Sequence, residues 1–316
     1  MKKERFNLIW QKYGTIGILI LIILVLGILS PTYFFTPSNL TQIILQSSIN
    51  ILVGVGEFFP ILIAGIDLSV GSIMALTGMI TAKLLVAGVP IILAILLGGI
   101  LTGALLGFIN GFLVVKTNLH PFIITLGTLS IFRGLTLIIS DARPVYGLPT
   151  EFTQGVAGWL WFVPIPVIIA FVLAGILMFI TNKTKMGRNI YALGGNPQAA
   201  WFSGINIKLH TIVVFMISGI CAGIAGVVLT ARLGAAEPLA GTGFELFAIA
   251  AAIIGGTSFF GGKGKILGVV MGALIIGVIN NGLNILNVST YYQQIVMGSL
   301  IIGAVALDRL FGGKKA

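Results

Sequence analysis

The sequence predicts an all-α integral membrane protein, a polytopic bundle of about ten transmembrane helices, and three observations predict it. Of 316 residues, 57% are hydrophobic and only 8% are charged, whereas a soluble domain carries about 25% charged residues. The apolar residues fall in long continuous runs, each close to the roughly 20 residues a helix needs to cross the hydrocarbon core. The alternating strands of ~10 residues that a membrane barrel would require are not what these runs look like. Basic residues gather between alternate runs, as they do on the cytoplasmic side of a membrane.

The first run, about 14–29, follows the basic start Met1-Lys2-Lys3-Glu4-Arg5. That arrangement suits a signal peptide, but only Ser30-Pro31-Thr32-Tyr33 follows and no small-x-small cleavage site, so the run reads as a retained span. Nine further runs fall at about 40–65, 69–87, 90–115, 121–140, 162–180, 210–232, 243–260, 265–286 and 291–308. The second is interrupted near Pro60, and the third and eighth are short. With the N-terminus inside, the inner segments hold Lys2, Lys3, Arg5, Lys12, Lys116, Lys183, Lys185, Arg188, Lys208, Lys263, Lys265, Arg309, Lys314 and Lys315. The outer segments hold only Arg143 and Arg232, while Lys83 and Arg133 fall within spans. Both termini are therefore expected in the cytoplasm. The same asymmetry explains the net charge of +10 without a nucleic-acid partner.

Aromatic residues mark the same boundaries: Trp10 and Tyr13 at the inner end of the first span, Tyr33, Phe34 and Phe35 at its outer end, and Trp159 and Trp161 beside the sixth, as an interfacial belt requires. Glycine recurs every four residues at Gly99, Gly103, Gly107 and Gly111, and again at Gly264, Gly268 and Gly272, with Gly219 and Gly223 in the seventh span. Such faces let helix backbones approach closely. Packing inside the bundle is the first expectation, a seam between subunits the second.

No hydrolytic constellation is visible. Two histidines, His120 and His210, and one cysteine, Cys221, offer neither a metal set nor an intrachain disulfide. The stretch from Gly255 to Lys265 has the glycines of a phosphate loop, but Gly264 follows Lys263 where Ser or Thr is needed. The chain has no ATP site of its own on this reading, and an ATP-driven step needs a second subunit.

Polar residues inside apolar runs carry what chemistry there is. Asp67 sits with Ser69 and Gly71 at the junction of two runs, where a carboxylate can cap the following helix. Glu57 lies deep in the second span, where a bare charge costs several kcal/mol; it is expected to face a wet cavity or to pair, with Arg133 as a candidate partner. Asn50, Asn110, Asn280, Asn281 and Asn284 add amides, Asn280 and Asn284 on one face. They serve either helix–helix hydrogen bonds or a polar solute path. Between about 182 and 208 lies an inner segment too apolar for a solvated loop. It should contain a short helix that starts at Pro197 after Asn196, and an exposed apolar helix marks a docking surface.

These segments resemble the permease subunits of ribose/xylose-type sugar ABC importers. The resemblance rests on Gly65-Ile66-Asp67-Leu68-Ser69-Val70-Gly71, on Gly187-Arg188-Asn189-Ile190-Tyr191-Ala192-Leu193-Gly194-Gly195-Asn196, on Ser203-Gly204-Ile205, and on Gly255-Gly256-Thr257-Ser258 with Gly261-Gly262-Lys263-Gly264. Asn280-Asn281-Gly282-Leu283, followed by Tyr291-Tyr292-Gln293, completes it. Order and spacing hold across essentially the whole chain. The strings Gly56-Glu57-Phe58-Phe59, His120 to Thr128, Ile131 to Gly134 and Ala231 to Gly241 narrow it, within the family, to importers of D-allose.

The resemblance implies one transmembrane permease domain over residues 1–316 in a bacterial inner membrane, paired with a second copy of itself. It implies two cytoplasmic ATPase subunits that bind ATP and Mg, so that this chain has no cofactor. It also implies an extracytoplasmic sugar-binding protein and a monosaccharide cargo, D-allose or a ribose-like sugar. Gly187, Arg188, Tyr191, Gly194, Gly195, Asn196, Ser203 and Gly204 map onto the ATPase-coupling region. Glu57, Asn50, Asn110, Arg133, Asn280 and Asn284 are candidates for the solute path, and Gly65, Asp67, Ser69 and Gly71 form the family motif. Arg143 and Arg232 are candidates for docking the binding protein, against the alternative of local pairs with Asp141 and Glu237. The competing function is an ion-coupled secondary sugar transporter that uses Glu57 or Asp67 as its ion site.

Overall fold

A computed structural model describes the backbone of residues 2–311 and the side chains of residues 14–306, 308 and 309. Trp10, Tyr13, Lys2, Lys3, Arg5, Lys12, Lys314 and Lys315 lie outside the described side chains. Helix occupies each of the ten expected runs: α1 (Lys2–Leu29), α2 (Pro37–Leu62), α3 (Val70–Val86), α4 (Ile91–Ala94) continuing through a π-helical stretch (Ile95–Leu101) into α5 (Thr102–Thr117), and α6 (Pro121–Ser140). Beyond a short helix α7 (Thr150–Ala157) come α8 (Ile165–Lys183), α9 (Lys185–Gly195), α10 (Pro197–Phe202), α11 (Ile207–Leu233), α12 (Phe244–Ile254), α13 (Ile266–Ile285) and α14 (Thr290–Phe311). Among the described residues, six helices are long and apolar enough to cross a membrane: Pro37–Leu62, Ile91–Thr117, Pro121–Ser140, Ile165–Lys183, Ile207–Leu233 and Ile266–Ile285. Gly14–Leu29, Val70–Val86 and Phe244–Ile254 are shorter apolar helices. The chain is an all-α membrane protein.

Three elements depart from the sequence expectation. The second helix ends at Leu62, not 65: Pro60 lies in its last turn, Ala64 takes a positive φ of 59°, and residues 63–69 run as irregular chain before α3. The sixth helix starts at Ile165 because the preceding residues fold as an antiparallel hairpin, Trp159–Leu160 (β1) on Val163–Pro164 (β2). The eighth run yields only the 11-residue α12.

The fold has two ends. At one, the hairpin adjoins α7, and Val145 bridges Ala236 beyond the end of α11. At the other lie α9 and α10, where the Gly262 N–H donates to the carbonyl of Leu62 (2.8 Å). The central helix is α2, buried from Ser47 to Leu62 and packed on α8, α11, α12 and α13.

The glycine faces pack within the chain. A Cβ on Gly103 would strike the carbonyl oxygen of Gly219, one on Gly219 would strike that of Gly103, and Gly107 and Gly111 meet Phe215 and Ile212 in the same way. The α5–α11 pair is thus a backbone-to-backbone contact of the kind small residues allow in a bilayer. Gly268 and Gly272 of α13 do the same against Gly255 and Ala251.

Candidate translocation site

The polar groups of α2 and of the irregular 63–69 stretch converge inside the bundle. Non-helical backbone at membrane depth is tolerated where protein surrounds it, and here hydrogen bonds specify its path. The Asp67 N–H donates to Glu57 Oε1 (2.9 Å), tying this chain back to α2. Asp67 Oδ1 accepts from the N–H of Ser69 (3.0 Å), from Ser69 Oγ (2.6 Å) and, at 3.4 Å, from Asn110 Nδ2 of α5. Its Oδ2 accepts from Ser218 Oγ of α11 (2.9 Å), and Asn110 Nδ2 also donates to Ser69 Oγ (2.8 Å). Asp67 is therefore not the cap of α3, whose N-cap, Ser69, makes no side-chain capping bond. It is a four-bond acceptor that joins the start of α3 to two neighbouring helices. Both carboxyl groups, Asn110 and Ser218 are fully buried.

The family-motif glycines serve close approach. A Cβ on Gly71 would strike the carbonyl of Gly241, just before α12, and Gly65 sits against the ring of Pro121. The first turn of α3 thus meets the irregular stretch ahead of α12 inside the bundle, and the segment ahead of α3 rests on the start of α6.

The expected pairing of Glu57 with Arg133 is not made. Arg133 Nη1 instead donates to the carbonyls of Pro238 (2.7 Å) and Ala240 (2.8 Å), fixing the stretch that leads into α12, with Glu245 near enough to interact with its charge. Glu57 Oε2 and Asn50 Nδ2 are buried without a hydrogen-bond partner. Asn280 and Asn284 part company: Asn280 is buried, while Asn284 is exposed at the helix end and accepts from Gln293 Nε2 (2.8 Å). Asn281 donates to Asn39 Oδ1 across to α2 (2.7 Å), which is helix–helix bonding.

The 182–208 segment divides by face. Gly187 packs on the carbonyls of Ile180 and Thr181, and Gly194 on that of Leu62. Tyr191 Oη donates to the Gly264 carbonyl (2.8 Å), and its ring meets Phe58 edge-on; burial pushes this phenol up, so it stays a donor. Asn196 Oδ1 accepts from the Ala199 N–H (3.0 Å) and so starts α10 at Pro197, as the sequence predicts. Arg188, Trp201, Phe202, Ser203 and Gly204 face outward, Phe202 being 80% exposed. Gly195 is exposed beside Gly262.

At the opposite end Arg143 is exposed. Arg232 is not free for a docking surface and does not meet Glu237: it is half-buried, with Nη1 donating to the carbonyl of Leu45 (3.2 Å). Sequence reasoning missed Ser218, one of three hydroxyl residues in the mostly apolar α11, whereas Trp201 and Phe202 are the exposed apolar side chains of the short helix it expected after Asn196.

Residues 39–305 match the family described as branched-chain amino acid transport system / permease component. The chain belongs to this permease family. It is 63% identical to the D-allose transport system permease protein AlsC of Escherichia coli (strain K12), over 98% of this chain and 95% of that one. It is 44% identical to the ribose import permease protein RbsC of Bacillus subtilis (strain 168), over 98% and 96%. With the galactose/methyl galactoside import permease protein MglC of Salmonella typhimurium it shares 36% identity over 100% and 99%. No solved structure matches the chain. The family description names amino acids and these relatives name sugars, so the shared frame does not by itself select the cargo.

Proposed function

We propose that this chain is the transmembrane permease subunit of an ATP-binding cassette importer that moves a monosaccharide, D-allose or a ribose-like sugar, into the cytoplasm. The observation that carries the reading is 63% identity with a D-allose permease over nearly the full length of both chains. In this proposal residues 1–316 form one domain with ten membrane crossings and both termini in the cytoplasm of a bacterial cell. Two copies pair in the inner membrane. ATP and Mg are held by separate ATPase subunits, and an extracytoplasmic binding protein delivers the sugar, with the exposed Arg143 among its contacts. Glu57 and Asn50, with their unpartnered buried atoms, belong to the solute path. Asp67, Ser69, Asn110 and Ser218 are its fixed wall.

The reading is tested in proteoliposomes that contain the permease, its cognate ATPase and the binding protein. ATP-dependent uptake of radiolabelled D-allose or D-ribose is expected. Uptake that runs on an ion gradient without ATP assigns the chain to secondary transport instead.

The proposed coupling surface makes its own prediction. Gly204 has a φ of +78° and open space around it. Asp tolerates that conformation better than most residues, so Gly204→Asp should fold and reach the membrane. Its charge would stand beside the apolar Trp201 and Phe202, where it should weaken ATPase docking. Sugar uptake is expected to fall at least tenfold at unchanged permease abundance. Wild-type uptake in this variant would show that the α9–α10 segment is not the docking element.

A further inference from the structure

The stretch from Gly255 to Lys265 has the glycines of a phosphate loop without its Gly-Lys-Ser/Thr ending, and the structure folds it into a turn that is tied to itself. The Ser258 N–H donates to the Lys263 carbonyl (2.9 Å), and the Gly261 N–H donates to the Ser258 carbonyl (3.0 Å). The Ser258 hydroxyl accepts from the Phe260 N–H (3.3 Å). The turn joins α12 to α13.

Three other elements hold it. On the side of α9, Tyr191 Oη donates to the Gly264 carbonyl (2.8 Å), and the backbones of the two segments touch. Gly261 and Gly262 have φ of +82° and +74°; a Cβ on Gly261 would lie 3.0 Å from the Gly194 carbonyl oxygen, and one on Gly262 would lie 2.8 Å from the Gly195 Cα. The end of α2 is bound through the Gly262 N–H, which donates to the Leu62 carbonyl (2.8 Å). On the far side stands Asp308, near the end of α14. Its Oδ2 accepts from Ser258 Oγ (3.1 Å) and from the Phe259 N–H (3.1 Å).

Backbone packed on backbone has no side chain that can yield, and close-packed protein transmits strain because it compresses little. A shift of α9 therefore moves the Gly261–Gly264 side of the turn. The bond between Ser258 and Lys263 then takes the movement across to Ser258 and to α14. We infer that this turn is the relay through which movement of the α9–α10 segment reaches α12, α13 and α14, and that Tyr191 and Asp308 are its positioning residues. Tyr191 fastens the turn to the ATPase-facing segment, and Asp308 fastens its opposite side to α14. The inference rests on the permease reading, in which α9–α10 meets the ATPase.

The test is the amount of sugar taken up per ATP hydrolysed, in proteoliposomes that hold the full complex. That ratio does not change when a variant only lowers the amount of folded protein. Tyr191→Phe keeps the ring that meets Phe58 and loses only the hydroxyl. Asp308→Ala loses both bonds, whereas Asp308→Asn keeps a carbonyl oxygen able to accept them. The ratio is expected to fall roughly threefold or more in Tyr191→Phe and in Asp308→Ala, and to stay near wild type in Asp308→Asn. Because both residues act through one turn, the double variant Tyr191→Phe/Asp308→Ala should be no worse than the worse single variant. Wild-type ratios in both single variants overturn the relay. So does a double variant whose loss is the product of the two single losses, since the residues would then act by separate routes. Deuterium exchange of the amides of 185–195, measured on the full chain in lipid nanodiscs, reads the mechanical link without ATP or sugar. Exchange there should be faster in Asp308→Ala than in Asp308→Asn, and equal rates overturn the proposal. Absence of ATP-dependent uptake by the wild-type complex would count separately, against the permease reading.

Discussion

Replacing Asp67 by alanine is expected to be among the most damaging single changes in the bundle. The carboxylate accepts from the Ser69 N–H, Ser69 Oγ, Asn110 Nδ2 and Ser218 Oγ, all of them buried. Asp67→Ala strands these donors where no water replaces the acceptor, and each buried group left unsatisfied costs about 1–3 kcal/mol. Because Asn110 and Ser69 retain their bond to each other, part of the loss is spared, and a destabilisation on the order of 3 kcal/mol follows. Asp67→Asn is the informative contrast. Its carbonyl oxygen still accepts from Ser69, and its amide can donate to the Ser218 hydroxyl, which is able to accept as well as donate. The detergent-purified variants should therefore rank wild type, then Asn, then Ala in thermal unfolding followed by tryptophan fluorescence. Equal midpoints for the Ala and Asn variants would mean that hydrogen bonding by this carboxylate does not hold α3 to α5 and α11.

That network shows where sequence reading stops. The apolar runs were legible because a membrane leaves a helix little choice: length and apolarity alone place it, and helix stands at every expected run. Gly103 and Gly219 were legible as packing residues because a period of four puts small residues on one face. Asn196 and Pro197 announced α10 through capping chemistry local to a few residues. The partners of charged groups carry no such local signature. Glu57 meets a backbone N–H ten positions away, and Arg133 meets the carbonyls of Pro238 and Ala240; every residue offers such groups, so no pattern singles them out. Ser218 lies 151 positions from Asp67 and looks like any small residue in an apolar helix. The run Trp159-Leu160-Trp161-Phe162 has the composition of a membrane span, yet it turns back on itself at Trp161, whose φ is +59°, and leaves its side chains exposed. Apolarity measures how much a segment avoids water; it does not distinguish a span from a hairpin lying at its edge.

The second large effect concerns the glycine seam. At Gly103 a Cβ would strike the Gly219 carbonyl oxygen and lie 3.2 Å from the Cα of Gly223, with no flexible side chain in between to give way. Gly103→Leu therefore forces α5 and α11 apart along their shared length, and overpacking of this kind costs about 1–3 kcal/mol or more. The separation would also pull Asn110 away from Asp67, since Asn110 rides on the same helix as Gly103. Membrane-inserted, monodisperse protein is expected to fall to below about a tenth of wild type. Gly175→Leu is the matched control, because nothing lies within 4 Å of a Cβ there and leucine is well suited to lipid; its yield should stay near wild type. Gly103→Ala should fall between them, as one methyl group demands a smaller shift of the backbones. Size-exclusion profiles of the three variants expressed side by side decide the matter: equal recovery of the Gly103→Leu and Gly175→Leu proteins would show that α5 and α11 do not pack backbone to backbone.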